Sequence, residues 1–235
     1  SSAHQVGDEP LLIHRKTGVP VAVGVKRVDA AHQLLSAHPE TQVLVCDDGL
    51  QHLNLAHDLA LVILDERGLG NGWMLPAGPL REPWPRPPRA RSREWVLSHG
   101  LDQPGALPLT RSIHAWAVNG MGQRVSLQEL SRSPMGAVCG IAKPDSFFQA
   151  LREAGMNLVA TQAWPDHHPF DNWSPDEPQQ ASRWICTEKD AVKLWATHPE
   201  VWAVSLDCHL PPALWPEVMQ SLKTRLRFNH GHQTS

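Results

Sequence analysis

Val43-Leu44-Val45-Cys46-Asp47-Asp48-Gly49-Leu50-Gln51-His52 is the stretch on which the reading of this chain turns. A short apolar run enters two adjacent carboxylates and then a glycine that lets the chain turn, the pattern of a strand buried on both faces. Ligands in open α/β sheets gather at the carboxyl ends of strands, so Asp47 and Asp48 are candidate ligands for an ion and its phosphates. An acid followed by glycine also closes a plain Asx-type turn. Gln51 and His52 favour the site, because a turn needs no further polar side chains of ligating type.

The chain has 235 residues, 41% of them apolar, enough to bury the core of one large or two ordinary domains. A net charge of -3 argues against a protein built mainly to bind nucleic acid. Cys46, Cys139, Cys186 and Cys208 lie far apart with no C-x-x-C pair, which reads as buried, reduced thiols in a cytosolic setting. No apolar run approaches the roughly 18 residues of a membrane span, and no signal peptide is visible. Ser1 stands where an initiator Met would be, so the chain reads as beginning inside a longer sequence.

Around the opening stretch, Val19 to Val25 reads as a strand and Val28 to Ala37 as an amphipathic helix. With the Val43 strand they predict a βαβ unit, and Leu59 to Leu64 predicts another buried strand of a parallel sheet. Upstream, Gly7-Asp8-Glu9-Pro10 is either a helix start or the source of a base, Asp8. Downstream, residues 68–83 hold too much Gly and Pro for regular structure and lack the G-x-x-x-x-G-K-[ST] spacing of a phosphate-cradling loop, which occurs nowhere in the chain. Arg81, Arg86, Arg89, Arg91 and Arg93 then crowd a proline-rich segment. They form a solvated face or a set of phosphate contacts, with an anionic membrane surface preferred over nucleic acid.

Trp95 to Ser98 predicts a further strand, and Ile113 to Val118 with Arg124 to Leu127 two short strands about a hairpin, a linker between domains. A second α/β stretch follows: a strand at Ala137 to Ile141, a helix at Pro144 to Ala154, and strands at Leu158 to Gln162 and Trp184 to Cys186, with a short helix from Ala191. Asp166-His167-His168 can bind metal, orient a base or lie in a polar loop.

Gly7-Asp8-Glu9-Pro10, Asp47 to His52, Gly70-Asn71-Gly72 with Leu75 to Glu82, Gly140 to Pro144 with Phe147-Phe148, Asp166-His167-His168 and Thr187 to Lys193 follow one another in an order that resembles the tetraacyldisaccharide 4'-kinases, the lipid A kinases of Gram-negative bacteria. The resemblance covers nearly the whole chain. It implies an α/β fold: a P-loop-kinase-like parallel sheet over residues 1–106, a two-stranded linker over 107–130 and a smaller C-terminal α/β domain over 131–235. It also implies transfer of the ATP γ-phosphate to the 4'-hydroxyl of a membrane-embedded acylated glucosamine disaccharide, at the cytoplasmic face of the inner membrane, with ATP and Mg²⁺ and no nucleic acid.

By the same resemblance Asp47 and Asp48 match Walker B-like acids on Mg²⁺, a hard cation that takes carboxylate oxygens and water. Asp8 matches the acid that accepts the sugar proton, and His167 the histidine paired with it. Folding is therefore expected to bring Asp8 and His167 together, opposite the twin acids. Arg81 is assigned to phosphate and Glu82 to the metal or its water shell, while Gln51 and His52 shape the same pocket. Lys189 and Asp190 remain structural or nucleotide-side.

Family members carry a Walker A loop ahead of the position where this chain begins. The sequence therefore predicts a truncated kinase, or a degenerate paralogue, that alone binds ATP poorly and transfers little phosphate. Two rivals stand beside it: a metal-dependent phosphoesterase using the acids and histidines, and a noncatalytic module whose arginine loop docks on anionic lipid.

Overall fold

A computed structural model describes residues 3–87, 92–175 and 181–231. In chain order the elements are α1 (Ala3–Val6), α2 (Asp8–Thr17), α3 (Arg27–Ala37), β1 (Leu59–Leu64), β2 (Arg93–His99), β3 (Leu107–Asn119) and β4 (Arg124–Ser126). They continue with α4 (Leu127–Leu130), β5 (Met135–Cys139), α5 (Pro144–Glu153), β6 (Leu158–Ala163), β7 (Arg183–Thr187), α6 (Glu188–Leu194), β8 (Trp202–His209) and α7 (Leu214–Gly231). The fold is mixed α/β with mostly parallel strands: the β3/β4 pair is antiparallel, whereas β1/β2, β2/β3, β5/β6, β5/β7 and β7/β8 are parallel. Two compact units form, one from residues 1–23 and 112–207, the other from 24–111 and 208–235. Each joins stretches far apart in sequence.

In the first unit the strand order is β3, β8, β7, β5, β6. β5 lies between two parallel neighbours and all five of its residues are buried, as an apolar run covered on both faces should be. Met135, Leu130, Leu151 and Ile185 are fully buried in the same core, and each such side chain contributes about 1.5–3 kcal/mol. Helix α5 starts at Pro144, whose missing N–H costs nothing in a first turn, and turns Phe147, Phe148 and Leu151 inward. Gly136 leaves room for the Trp184 ring, which would stand 2.6 Å from any Cβ placed there. In the second unit β1, β2 and residues 107–109 of β3 pair in parallel, and Leu214 and Val218 of α7 cover Trp95, Leu97 and Leu109.

Two sequence expectations fail. Val19 to Val25 and Val43 to Cys46 form no strands and pair with no strand among the described residues, and the hydrogen bonds of Val19 go to the side chains of His14 and Thr17. Val25 is 101% and Val45 93% exposed. A β-branched run becomes a strand only where a neighbouring strand takes up its backbone N–H and C=O groups, and neither run has one among the described residues, so the expected βαβ unit is absent. The thiols divide as well. Cys139 and Cys186 are buried, but Cys46 and Cys208 are exposed, and all four are free. Burial pushes the Cys139 thiol up to about 12 and the Cys186 thiol well above its ordinary value, so both are protonated at neutral pH. Trp73 is 67% exposed while Trp95 is buried. Among the described residues no helix is long and apolar enough to cross a membrane.

Candidate active site

A dense polar cluster belongs to the first unit and is organised by α6. Thr187 caps that helix, its hydroxyl accepting the N–H of Asp190 at 3.1 Å. Each charged side chain that follows ties α6 to another part of the unit. Glu188 accepts from Lys16 Nζ on α2 at 2.8 Å and from the Ser205 hydroxyl on β8 at 2.8 Å. Lys189 Nζ donates to Asp166 Oδ1 at 3.0 Å and lies 3.5 Å from Glu9 Oε1. Asp190, fully buried, accepts from the Gly140 N–H at 3.0 Å and the Thr187 hydroxyl at 2.7 Å. Lys193 Nζ donates to Asp8 Oδ2 at 2.9 Å.

Asp8 is the first residue of α2, entered through Gly7 at φ 89°, a left-handed turn that a side chain would strain. Helix α2 packs on α6, and Asp8 is buried against Lys193. The second partner of Asp8 arrives from 159 residues away: His167 Nδ1 lies 3.2 Å from the same Oδ2. His167 Nε2 stands 3.4 Å from Lys189 Nζ. The loop that delivers His167 is strained, since His167 and Phe170 both have φ 63°. Its braces are explicit. The His167 N–H donates to the Gly140 carbonyl, and His168 accepts the Phe170 N–H at 3.1 Å while its ring sits against Trp164 and Phe170. His168 thus braces the loop, and His167 is the histidine that reaches Asp8.

Gly7, Asp8, Glu9, Pro10, His167, Pro169 and Lys193 line an open concavity of about 480 Å³. The Lys189 hydrogen bond holds the Asp166 carboxyl below the usual range. Burial pulls the Lys189 ammonium down, but the hydrogen bond and charge of Asp166, with Glu9, outweigh it and leave it raised. Burial pushes the Asp190 carboxyl up against the pull of Thr187 and Gly140, and its Oδ1 has no partner among the described atoms. Such a cluster can hold a hydroxyl-bearing substrate and take its proton.

The remaining candidates belong to the second unit. Asp47 and Asp48 are exposed in a turn, Asp48 at φ 49° and 3.7 Å from Arg81 Nη1. Glu82 accepts from Gln51 Nε2 at 3.1 Å and from Arg86 Nε at 3.0 Å, and Arg86 also reaches Glu94 at 3.1 Å. His52 is exposed. Among the described residues no three His, Cys, Asp or Glu side chains gather into a ligating group. Arg89 and Arg91 lie outside the described residues. Lys193 had no role in the sequence reading, although its spacing of four from Lys189 places both on one face of a short helix.

A family profile described as tetraacyldisaccharide-1-P 4'-kinase, LpxK, matches residues 1–223. A tetraacyldisaccharide 4'-kinase of Acidovorax sp. strain JS42 is 49% identical over 92% of this chain and 63% of its own length. One of Delftia acidovorans is 44% identical over 97% of this chain and 67% of its own. The chain therefore spans about two thirds of the length of these curated relatives. A crystal structure of apo-form LpxK from Aquifex aeolicus in complex with ATP superposes with a TM-score of 0.74 at 23% identity, covering 96% of this chain and 70% of that one. At that identity the likeness establishes the fold.

Proposed function

The chain belongs to the tetraacyldisaccharide-1-P 4'-kinase family, and on that premise we propose that the protein transfers the γ-phosphate of ATP to the 4'-hydroxyl of a tetraacylated glucosamine disaccharide 1-phosphate. The observation that carries this reading is the contact between Asp8 and His167 in a concavity open to a substrate. Phosphoryl transfer asks little covalent work of a protein; it needs a positioned hydroxyl, an acceptor for its proton and charge to match the phosphates.

Asp8 is the proton acceptor. Both of its partners sit on Oδ2, so Oδ1 has no hydrogen-bond partner among the described residues and is the oxygen left for a substrate hydroxyl. The imidazole tautomer with hydrogen on Nδ1 satisfies both neighbours of His167: Nδ1–H donates to Asp8, and Nε2 accepts from Lys189. His167 thereby orients the base.

Asp47 and Asp48 suit Mg²⁺ because the set is all oxygen and exposed, and Mg²⁺ is held by one or two carboxylates together with water and substrate phosphates. Bound there, the ion would neutralise charge on the phosphates. Arg81 suits a phosphate oxygen. Glu82, already shared between Gln51 and Arg86, is the weaker ligand and acts through the water shell, with Gln51 and His52 shaping the same pocket. The finer architecture belongs to the same proposal: a P-loop-type kinase core, with β3 and β4 as a two-stranded link to a smaller α/β domain. The protein works peripherally at the cytoplasmic face of the inner membrane, where an acylated substrate presents its sugars.

The test follows label from γ-³²P-ATP into the disaccharide lipid with the whole protein. Asp8→Ala should cost about 10²- to 10⁴-fold in kcat, the usual weight of a general base, and wild-type transfer by Asp8→Ala would overturn the assignment. Manganese-dependent phosphodiester hydrolysis indifferent to Asp8→Ala would instead identify a phosphoesterase.

A further inference from the structure

We propose that Lys193 is a positioning residue of this site: its ammonium, seated on Oδ2 of Asp8, locks the carboxylate in one orientation and so fixes Oδ1 as the oxygen offered to the substrate hydroxyl. The inference rests on the reading of Asp8 as the base and adds a residue to it.

The geometry is specific. Lys193 and Asp8 side chains are only 6% and 8% exposed, and their contact is 2.9 Å. A buried ion pair of this kind is a poor source of stability, because removing two charges from water costs about as much as their attraction returns, and apolar replacements are often neutral or better. This pair lines the concavity itself. It also shares an oxygen with His167, so both donors pull Oδ2 to one side. A carboxylate held by one donor can exchange its two oxygens by rotation; held by two on a single oxygen, it cannot without breaking both bonds.

The Lys193 stem is fixed in turn. The ammonium lies 5.4 Å from the centre of the buried Phe170 ring, and Phe170 ends the strained loop that carries His167. One turn earlier on α6, Lys189 serves Asp166 and faces Nε2 of His167. The two lysines thus brace the Asp8 and His167 pair from opposite ends. Of the other charged groups on α6, Glu188 is bound to Lys16 and Ser205, and Asp190 is bound through Oδ2 to Gly140 and Thr187.

The experiment compares Lys193→Met and Lys193→Arg in the whole protein, alone and with Asp8→Ala, reading kcat, KM for ATP, the thermal midpoint and the ring ¹⁵N shifts of His167. Orientation of a reacting group is worth orders of magnitude, so Lys193→Met should lower kcat by about 10- to 100-fold with KM for ATP held within about two-fold. Lys193→Arg should recover most of the loss. In the Asp8→Ala background Lys193→Met should cost nothing further, and the Asp8→Ala ¹⁵N spectrum should show His167 losing the Nδ1–H form. If Asp8→Ala keeps wild-type turnover, the reading of the base has failed. If Asp8→Ala is inactive but Lys193→Met turns over normally, whatever its midpoint, Lys193 is only structural and this inference is overturned. Lys193→Ala, which removes the donor and leaves room for water, decides the matter should Lys193→Met not fold: reduced kcat at constant KM supports the proposal, and wild-type kcat contradicts it.

Discussion

Residues 187–193 and residues 43–52 each gather polar side chains and use them in opposite ways. In the first stretch each of Glu188, Lys189, Asp190 and Lys193 is bound to a partner from another segment of its unit, and the helix they share rests on a core of fully buried residues such as Ile185 and Leu194. In the second, Asp47 and Asp48 are exposed, and the valines before them are solvated. The first arrangement is preorganised, its donors and acceptors fixed before any substrate arrives. The second suits a site completed by what it binds, because carboxylates for a hydrated cation must remain reachable.

The sharpest way to break this contrast is to empty the core beneath the first stretch. Ile185→Ala should lower unfolding free energy by about 2–5 kcal/mol in urea titrations, because the strand beside α6 cannot collapse into the cavity. Next comes the proposed ion site: Asp48→Asn removes one carboxylate from an exposed pair, and the Mg²⁺ concentration for half-maximal transfer should rise about ten-fold, as for one charge-assisted contact. An unchanged Mg²⁺ dependence would remove Asp48 from the metal.

A smaller effect tests the rim. Because Lys189 depresses the Asp166 carboxyl, the folded state binds fewer protons there than the unfolded chain. The stabilisation is therefore present above the unfolded value of about 4 and is lost as pH falls through the lower folded value. Urea midpoints measured from roughly pH 5 downward should fall less steeply in Asp166→Asn than in wild type, modestly so because the pair is partly solvated. Smallest of all, Val45→Ser should move stability by no more than about 0.5 kcal/mol, as for exposed positions generally. A large loss would mean that Val45 is buried in solution.

The same contrast explains what could be read from sequence. Leu59 to Leu64, the Ile113 and Arg124 hairpin and the helix from Pro144 carry their own signals: an apolar run of strand length, a Gly-containing turn between β-branched segments, a proline in the first turn. Val19 to Val25 and Val43 to Cys46 carry the first signal equally well and form no strand, because pairing depends on a neighbour that a local pattern does not contain. The approach of Asp8 to His167 was legible only through the order of motifs, since no periodicity links residues 159 apart. Lys193 was the residue passed over. Its i, i+4 relation to Lys189 marks a shared helix face, but only the packing of α2 on α6 reveals that this face meets a buried carboxylate.

The most direct test of the account is a double-mutant cycle on kcat for phosphate transfer, with Asp8→Ala, His167→Ala and the double variant in the whole protein. If the two side chains act as one unit, the double variant should be about as slow as Asp8→Ala alone, a coupling well above the roughly 0.5 kcal/mol found between independent sites. Losses that simply multiply would show that the 3.2 Å contact between Asp8 and His167 plays no part in the chemistry.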